Sequence, residues 1–316
     1  MGTLDGGLKR IYIYIGVCIS LPLLTQLMTK MADTRAIIFI LLATVILSGE
    51  VHGDRMSAKV FGGSDAFPGQ FPFIGSLRNA YDEHICGATL ISNDKAVTAA
   101  HCFDLESNET SDDLPSIAVF GDLNLLQPSL THHQSMFDKK VHAQYNKTSL
   151  ENDIALIYLK DPVKKFGINI SKIPLANESF NYSSCFVVGW GKTKDSETES
   201  EVLQFAALNL YNNSACIQEF GFVDNATTVC AGSKTADACE GDSGGPLACQ
   251  RDDTGTKVMD LVGVGSSGVE VCQAGTPGIY TRVSAYQDWI ASRCHHSCAS
   301  MSLITLFFVL VMVYCY

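Results

Sequence analysis

Short apolar segments of strand length, interrupted by Gly, Pro, Asn and Ser, fill the middle of this 316-residue chain. CGATLI (86–91), SIAVFG (116–121), DIALIYL (153–159), CFVVGW (185–190) and VMDLVGVG (258–265) are too short for buried helices. They are also rich in β-branched residues, which pack well on a pleated surface. This pattern predicts an all-β fold. One stretch, VSAYQDWIASRC (283–294), reads as an amphipathic helix, with Val283, Tyr286, Trp289 and Ile290 at helical spacing. There is no repeat at the scale of about 20 to 50 residues and no internal linker, and a strand-rich chain of this length can form two packed barrels. With 47% hydrophobic and 17% charged residues the chain has material for a sizeable core and too little charge for disorder. Its net charge of -11 offers no basic surface to a phosphate backbone, which excludes nucleic acid as a partner.

Twelve cysteines, none in a CxxC pair, point to disulfides formed in an oxidising compartment. Seven N-x-S/T triplets agree with that compartment: Asn108, Asn146, Asn169, Asn177, Asn181, Asn212 and Asn225 are each glycan acceptors if the chain enters the secretory route. The ends of the chain bear on the same question. Ala36 to Leu47 is a 12-residue apolar run behind Arg35, followed by small or polar residues, as a signal peptide requires, and Met31 opens that signal by itself. Residues 1–30 are then an upstream extension whose apolar run, 11–24, is short for a bilayer span; its alternative role is a membrane anchor. The signal occupies 31–53 and a short propeptide 54–59. At the other end the tail 295–316 finishes in 14 apolar residues (303–316). That tail is expected to act as a membrane tether, either as a short span or as a lipid-anchor signal. Ser297-Cys298-Ala299 supplies the small residues of such a signal but leaves too short a spacer. A tail packed on the domain is the third reading.

The chemistry is concentrated in GDSGGP (241–246). Three glycines around Ser243 permit tight turns and leave neighbouring N–H groups free to face a ligand, which an activated nucleophile needs. A bare G-x-S-x-G also describes the nucleophile elbow of α/β-hydrolases, and chain order separates the two. The elbow requires Asp and His after the serine, whereas here TAAHC carries His101 and NDIAL carries Asp153, both upstream.

With these three motifs in the order His, Asp, Ser, the segment 60–294 resembles a trypsin-like serine protease of the chymotrypsin family. The resemblance implies two six-stranded antiparallel β-barrels with a C-terminal α-helix, and a triad of His101, Asp153 and Ser243 in the cleft between the barrels. It implies an oxyanion hole from the N–H groups of Gly241 and Ser243, and a primary pocket with Asp237 at its floor, Ala238 beside it, and Ser266, Gly268 and Gly278 along its walls. A buried carboxylate at Asp237 demands Arg or Lys before the scissile bond. Ala238, where the family often has serine, favours Arg, whose fork still pairs bidentately. AKVFGG (58–63) resembles the cleavage site of these zymogens, with Lys59 before the bond and Val60 as the new N-terminus that pairs with Asp242. Ser76 and His84 stand where some family zymogens hold that carboxylate. The resemblance also implies four disulfides: Cys86 with Cys102, Cys185 with Cys249, Cys216 with Cys230, and Cys239 with Cys272.

Some positions depart from the family. Ser266-Ser267-Gly268 replaces the usual Ser-Trp-Gly, removing the aromatic wall beyond the primary pocket. The loop after His101 (Asp104, Glu106, Glu109, Asp112, Asp113) and the run 195–201 are acidic, which favours basic substrates unless they are only solvated faces. Asp122 has few acidic companions at calcium-loop positions and Pro277 stands where sodium-binding relatives have tyrosine, so neither ion is expected. CHHSC (294–298) sets its ligands too close together for a metal site. No cofactor is expected. Expected partners are protein or peptide substrates with Arg or Lys before the cut bond, an activating protease and protein inhibitors, and the expected location is outside the cell or tethered to its surface. The alternative function is a catalytically idle homologue that serves as a cell-surface binding module.

Overall fold

The computed structural model describes residues 63–193, 196–221, 223–235, 241–252, 258–267 and 275–292, all within the unit Met56–Tyr316. Strands β2 (Ile74–Arg78), β3 (His84–Leu90), β4 (Lys95–Thr98), β5 (Ile117–Phe120), β6 (His133–Val141) and β7 (Ala155–Leu159) close into one antiparallel barrel in the order β2-β3-β4-β7-β6-β5. A second ring follows. It joins β8 (Tyr182–Gly189), β11 (Gln204–Tyr211), β12 (Thr228–Gly232), β15 (Gly278–Arg282), β14 (Met259–Ser267) and β13 (Pro246–Arg251), and pairing of β11 with β8 closes it. Strand β1 (Ser64–Asp65) adds to β11, and β9 (Lys192–Thr193) with β10 (Ser196–Glu199) forms a separate hairpin. Closing both sheets leaves no long unpaired edges.

Each of the five apolar segments singled out in the sequence overlaps a strand of these barrels: 86–91 with β3, 116–121 with β5, 153–159 with β7, 185–190 with β8 and 258–265 with β14. Their side chains fill the interior. Leu77, Leu90, Phe120, Leu156 and Ile157 are fully buried in the first barrel, and Val188, Ala248, Leu261 and Val264 of the second belong to the same apolar cluster, so the barrels share a core where they meet. Trp190, just past β8, is buried in that junction, with its Nε1 donating to the Leu123 carbonyl at 3.2 Å and its ring edge-on to His84.

The C-terminal helix differs in detail from its sequence pattern. Val283–Tyr286 form a 3-10 turn and α-helical geometry begins only at Gln287, giving α2 (Gln287–Ala291). Val283, Tyr286 and Ile290 are buried, so the apolar face is the one expected. A second short helix, α1 (Ser214–Phe220), carries the buried Cys216; its seven residues leave Ile217 exposed and are too few to show an apolar period.

Three disulfides are formed: Cys86–Cys102 ties β3 to the turn after β4, Cys185–Cys249 links β8 to β13, and Cys216–Cys230 links α1 to β12. Cys239 and Cys272 lie outside the described residues, as do the signal-like run and the apolar tail. Among the described residues no helix is long and apolar enough to cross a membrane. Cys86–Cys102 closes a loop of sequence separation 16. Replacing both cysteines with alanine is expected to lower stability by about 3 kcal/mol in the loop-entropy account, read from urea unfolding as a fall in midpoint with a slope that rises as the unfolded chain expands.

Candidate active site

His101 opens a 3-10 turn (His101–Phe103) directly after β4, anchored by Cys102 through its disulfide. Asp153 precedes β7 and is fully buried where the two barrels meet. Four donors converge on this one residue. The backbone N–H of His101 donates to Oδ1 at 2.9 Å, while His101 Nδ1 and Ser266 Oγ donate to Oδ2 at 2.7 and 2.6 Å. Thr281 Oγ1 donates to the Asp153 carbonyl at 2.7 Å. Because a carboxylate only accepts, the imidazole proton sits on Nδ1 and the Nε2 lone pair is left for other chemistry. The His101 side chain is about a quarter exposed (23%). Burial alone would lower the His101 pKa. The hydrogen bond to Asp153, its charge and that of Asp104 outweigh burial, and the net displacement is upward.

Ser243 sits in a turn whose shape depends on glycine. Gly244 has φ of +73°, and a Cβ there would collide with Thr98 Oγ1 and come within 2.6 Å of the Gly87 carbonyl oxygen. Gly87, on β3, approaches just as closely from the other side: its N–H donates to the Ser243 carbonyl at 2.7 Å, and a Cβ on it would meet Gly245 Cα at 2.7 Å. Backbone thus packs on backbone between the barrel that carries His101 and the turn that carries Ser243. Gly244 N–H donates to the Gly265 carbonyl and Gly245 N–H to the Asp242 carbonyl. Among the described residues the N–H groups of Gly241 and Ser243 have no hydrogen-bond partner.

Asp242 is buried, and its Oδ1 accepts the Gly191 N–H at 2.9 Å in a space kept open by Gly189 and Gly191. Ser76 and His84 do not reach for this carboxylate. His84 Nε2 donates to the Gly241 carbonyl at 3.0 Å, its Nδ1 accepts from Ser76 Oγ at 2.8 Å, and Ser76 Oγ in turn accepts from Arg78 Nε at 3.3 Å. The acceptor-only carbonyl at one end and the donor-only guanidinium at the other fix every proton in this chain. Arg78 also pairs with Asp82 at 3.0 Å and faces Asp122 at 3.8 Å, so Asp122 looks toward a guanidinium and the Ser129 N–H.

Ser266 and Thr281, which both bond Asp153, line a cleft of about 400 Å³ together with Leu150, Phe220 and Val223, whereas Gly278, at the start of β15 opposite Ala231, is not among its lining residues. Asp237, Ala238, Gly268, Lys59 and Val60 lie outside the described residues. All seven sequon asparagines are described; Asn169 is half-buried and the other six are exposed. Sequence reasoning overlooked Thr281, Arg78 and Tyr145. The last donates to Asp104 Oδ2 at 2.6 Å, three residues past His101.

Comparison with known proteins agrees with this geometry. A family model of the trypsin domain matches residues 60–290. The rat (Rattus norvegicus) protein called Transmembrane protease serine 9 is 36% identical over 244 residues, covering 75% of this chain and 22% of that protein. The chain therefore spans about a fifth of the length of that relative. It belongs to the trypsin family of serine proteases.

The buried His84 makes its own prediction. Burial, helped by the Arg78 charge and opposed by the bond to Gly241, lowers its pKa to about 4. An unfolded histidine titrates near about 6.5, so between these values the unfolded chain binds a proton that the folded chain refuses. Stability should fall as pH drops through that window. In His84→Gln this contribution disappears, which urea midpoints at about pH 7 and about pH 4.5 will compare.

Proposed function

We propose that this chain is a secretory-route serine endopeptidase, made as an inactive precursor, that cuts peptide bonds after Arg or Lys through an acyl-enzyme. The observation that carries this reading is the His101–Asp153 pair, with Nδ1 protonated and the imidazole partly exposed, just after Thr98 and Ala99, against which the glycine-shaped turn of Ser243 packs. In the first half-reaction Ser243 Oγ attacks the peptide carbonyl as His101 Nε2 takes its proton. The tetrahedral oxyanion is met by the N–H groups of Gly241 and Ser243, and loss of one such donor typically costs about 3 to 4 kcal/mol. His101 then protonates the leaving amine. Water, activated by the same nitrogen, releases the acyl group in the second half-reaction. Asp153 holds the tautomer throughout and stabilises the transient cation.

Substrate choice rests on Asp237 at the pocket floor, with Ala238 favouring Arg, and on Gly268 and Gly278 admitting a long side chain. Activation rests on cleavage between Lys59 and Val60, after which the new ammonium pairs with Asp242 and orders the turn. The buried setting of Asp242 supports a role that needs an internal cation. Support for a cell-surface location comes from the signal-like run at 36–47, the apolar tail at 303–316 and the rat relative, which is named as a transmembrane protease. Partners in this reading are protein or peptide substrates, an activating protease and protein inhibitors.

Cleaved chain should hydrolyse an Arg-ending ester and intact chain should not; equal rates would remove the activation argument. Asp237→Ser should cost several kcal/mol in kcat/KM on Arg substrates, the scale of a buried pair losing one member, and leave reaction with a small acylating ester intact. If cleaved chain hydrolyses neither substrate, the idle-homologue alternative takes over. The acidic limb of kcat/KM should have its midpoint above about 6.5, because the raised His101 pKa keeps the base protonated to higher pH. Asp104→Asn should move that midpoint down; a midpoint unmoved by the change would remove Asp104 from the charges felt by His101.

A further inference from the structure

The cleft beside Asp153 has two walls, and each carries a sequon. Thr148, Ser149 and Leu150 line one wall, on the segment between β6 and β7; Val223, Asp224 and Thr227 line the other, after α1. Thr148 completes Asn146-Lys147-Thr148 and Thr227 completes Asn225-Ala226-Thr227. In both cases the hydroxyl residue forms cleft wall while its asparagine, two residues earlier, is exposed. Asn146 turns its Oδ1 inward to accept the N–H groups of Thr148 and Ser149 at 2.9 and 3.3 Å. Its Nδ2, the atom to which an N-glycan attaches, makes no hydrogen bond among the described residues. The Asn225 turn is set by Asp224, whose carboxylate accepts Ala226 N–H at 2.9 Å and Thr227 Oγ1 at 2.8 Å, again leaving Asn225 outward. Asn169 contrasts with both, because it is half-buried and its Nδ2 is spent on Thr131 Oγ1 at 3.0 Å. None of the other five sequons contributes a residue to this cleft.

We propose that N-glycans on Asn146 and Asn225 fence the cleft from both rims and restrict the enzyme to slender, extended peptide segments, so that sites on folded proteins are cut poorly. This rests on the protease and secretory reading above. A branched glycan is bulky and hydrated and sweeps the space over its attachment point. An extended peptide has the girth of one strand, about 5 Å, and passes between two such groups. A folded substrate must bring flanking surface down on the rims, on the order of 800 Å² per partner for a standard interface, and the glycans occupy that space.

The test uses the full chain secreted from glycosylating cells, with Asn146→Asp, which keeps the inward oxygen acceptor, Asn225→Gln, and the double variant. Peptide mass mapping should find glycan on both asparagines of the parent; two bare asparagines overturn the proposal. On activated protein, the double variant should gain about tenfold in kcat/KM on a folded protein presenting Arg in a surface loop and change less than about twofold on a short Arg amide. No gain, or an equal gain on both substrates, overturns it. A second readout does not need catalysis. In a Ser149→Cys background, corrected for the parent, a maleimide carried on a folded protein should react more slowly than a small maleimide, and losing both glycans should remove the difference. If no variant hydrolyses anything, the protease reading fails while this labelling still decides the glycan fence, and equal labelling with and without glycans overturns it.

Discussion

A carboxylate with no solvent exposure must be fully paired, because an uncompensated buried charge costs several kcal/mol. Asp153 is such a group, and its carboxylate takes donors from both barrels, the His101 N–H and ring from the first and Ser266 from the second, while Thr281 of the second bonds its backbone carbonyl. Neither barrel alone satisfies it. Docking the barrels therefore satisfies Asp153, and docked barrels set the Ser243 turn against Gly87, Thr98 and Ala99, just before His101. The contact of Gly87 with Ser243 and Gly245 tightens this, since side chains on those glycines would hold the two backbones apart. Stability and site geometry share one set of contacts.

A second polar chain acts on the neighbouring peptide. Arg78, Ser76 and His84 pass hydrogen bonds in one direction to the Gly241 carbonyl, while Gly191 holds Asp242. Its members are buried, so each missing partner would leave a polar group unsatisfied. This arrangement orients the Gly241–Asp242 peptide just before the nucleophile. It does so with a neutral imidazole, whose single N–H and single lone pair suit the donor on one side and the acceptor on the other.

The three motifs around His101, Asp153 and Ser243 were legible because each couples a reactive residue to unusual local composition: alanines and a cysteine, a strand start, and clustered glycines. The five apolar strands were legible because both faces of DIALIYL and much of CGATLI are buried, which yields runs of apolar residues. Strand β6 was not. Its HQSMFDKKV pattern leaves every position but Ser135 exposed or half-buried, and Lys139 and Lys140 lay their ammonium groups over Phe103 and Trp289, so charged residues cover apolar rings. Thr281 and Arg78 were hidden for another reason: their roles arise from partners far away in sequence, and nothing in their neighbours announces them. The disulfide pairing came from family resemblance, since cysteine spacing alone leaves connectivity open.

The central claim is that Asp153, through His101, makes Ser243 a nucleophile. Its most direct measurement is the rate at which a fluorophosphonate modifies the cleaved, folded chain, followed by mass mapping of the adduct. The account predicts a single adduct on Ser243, none in Ser243→Ala, and a rate about a thousand- to ten-thousandfold slower in Asp153→Asn, where the wrong imidazole tautomer is held. An adduct on another residue, or equal rates with and without the Asp153 carboxylate, would contradict it.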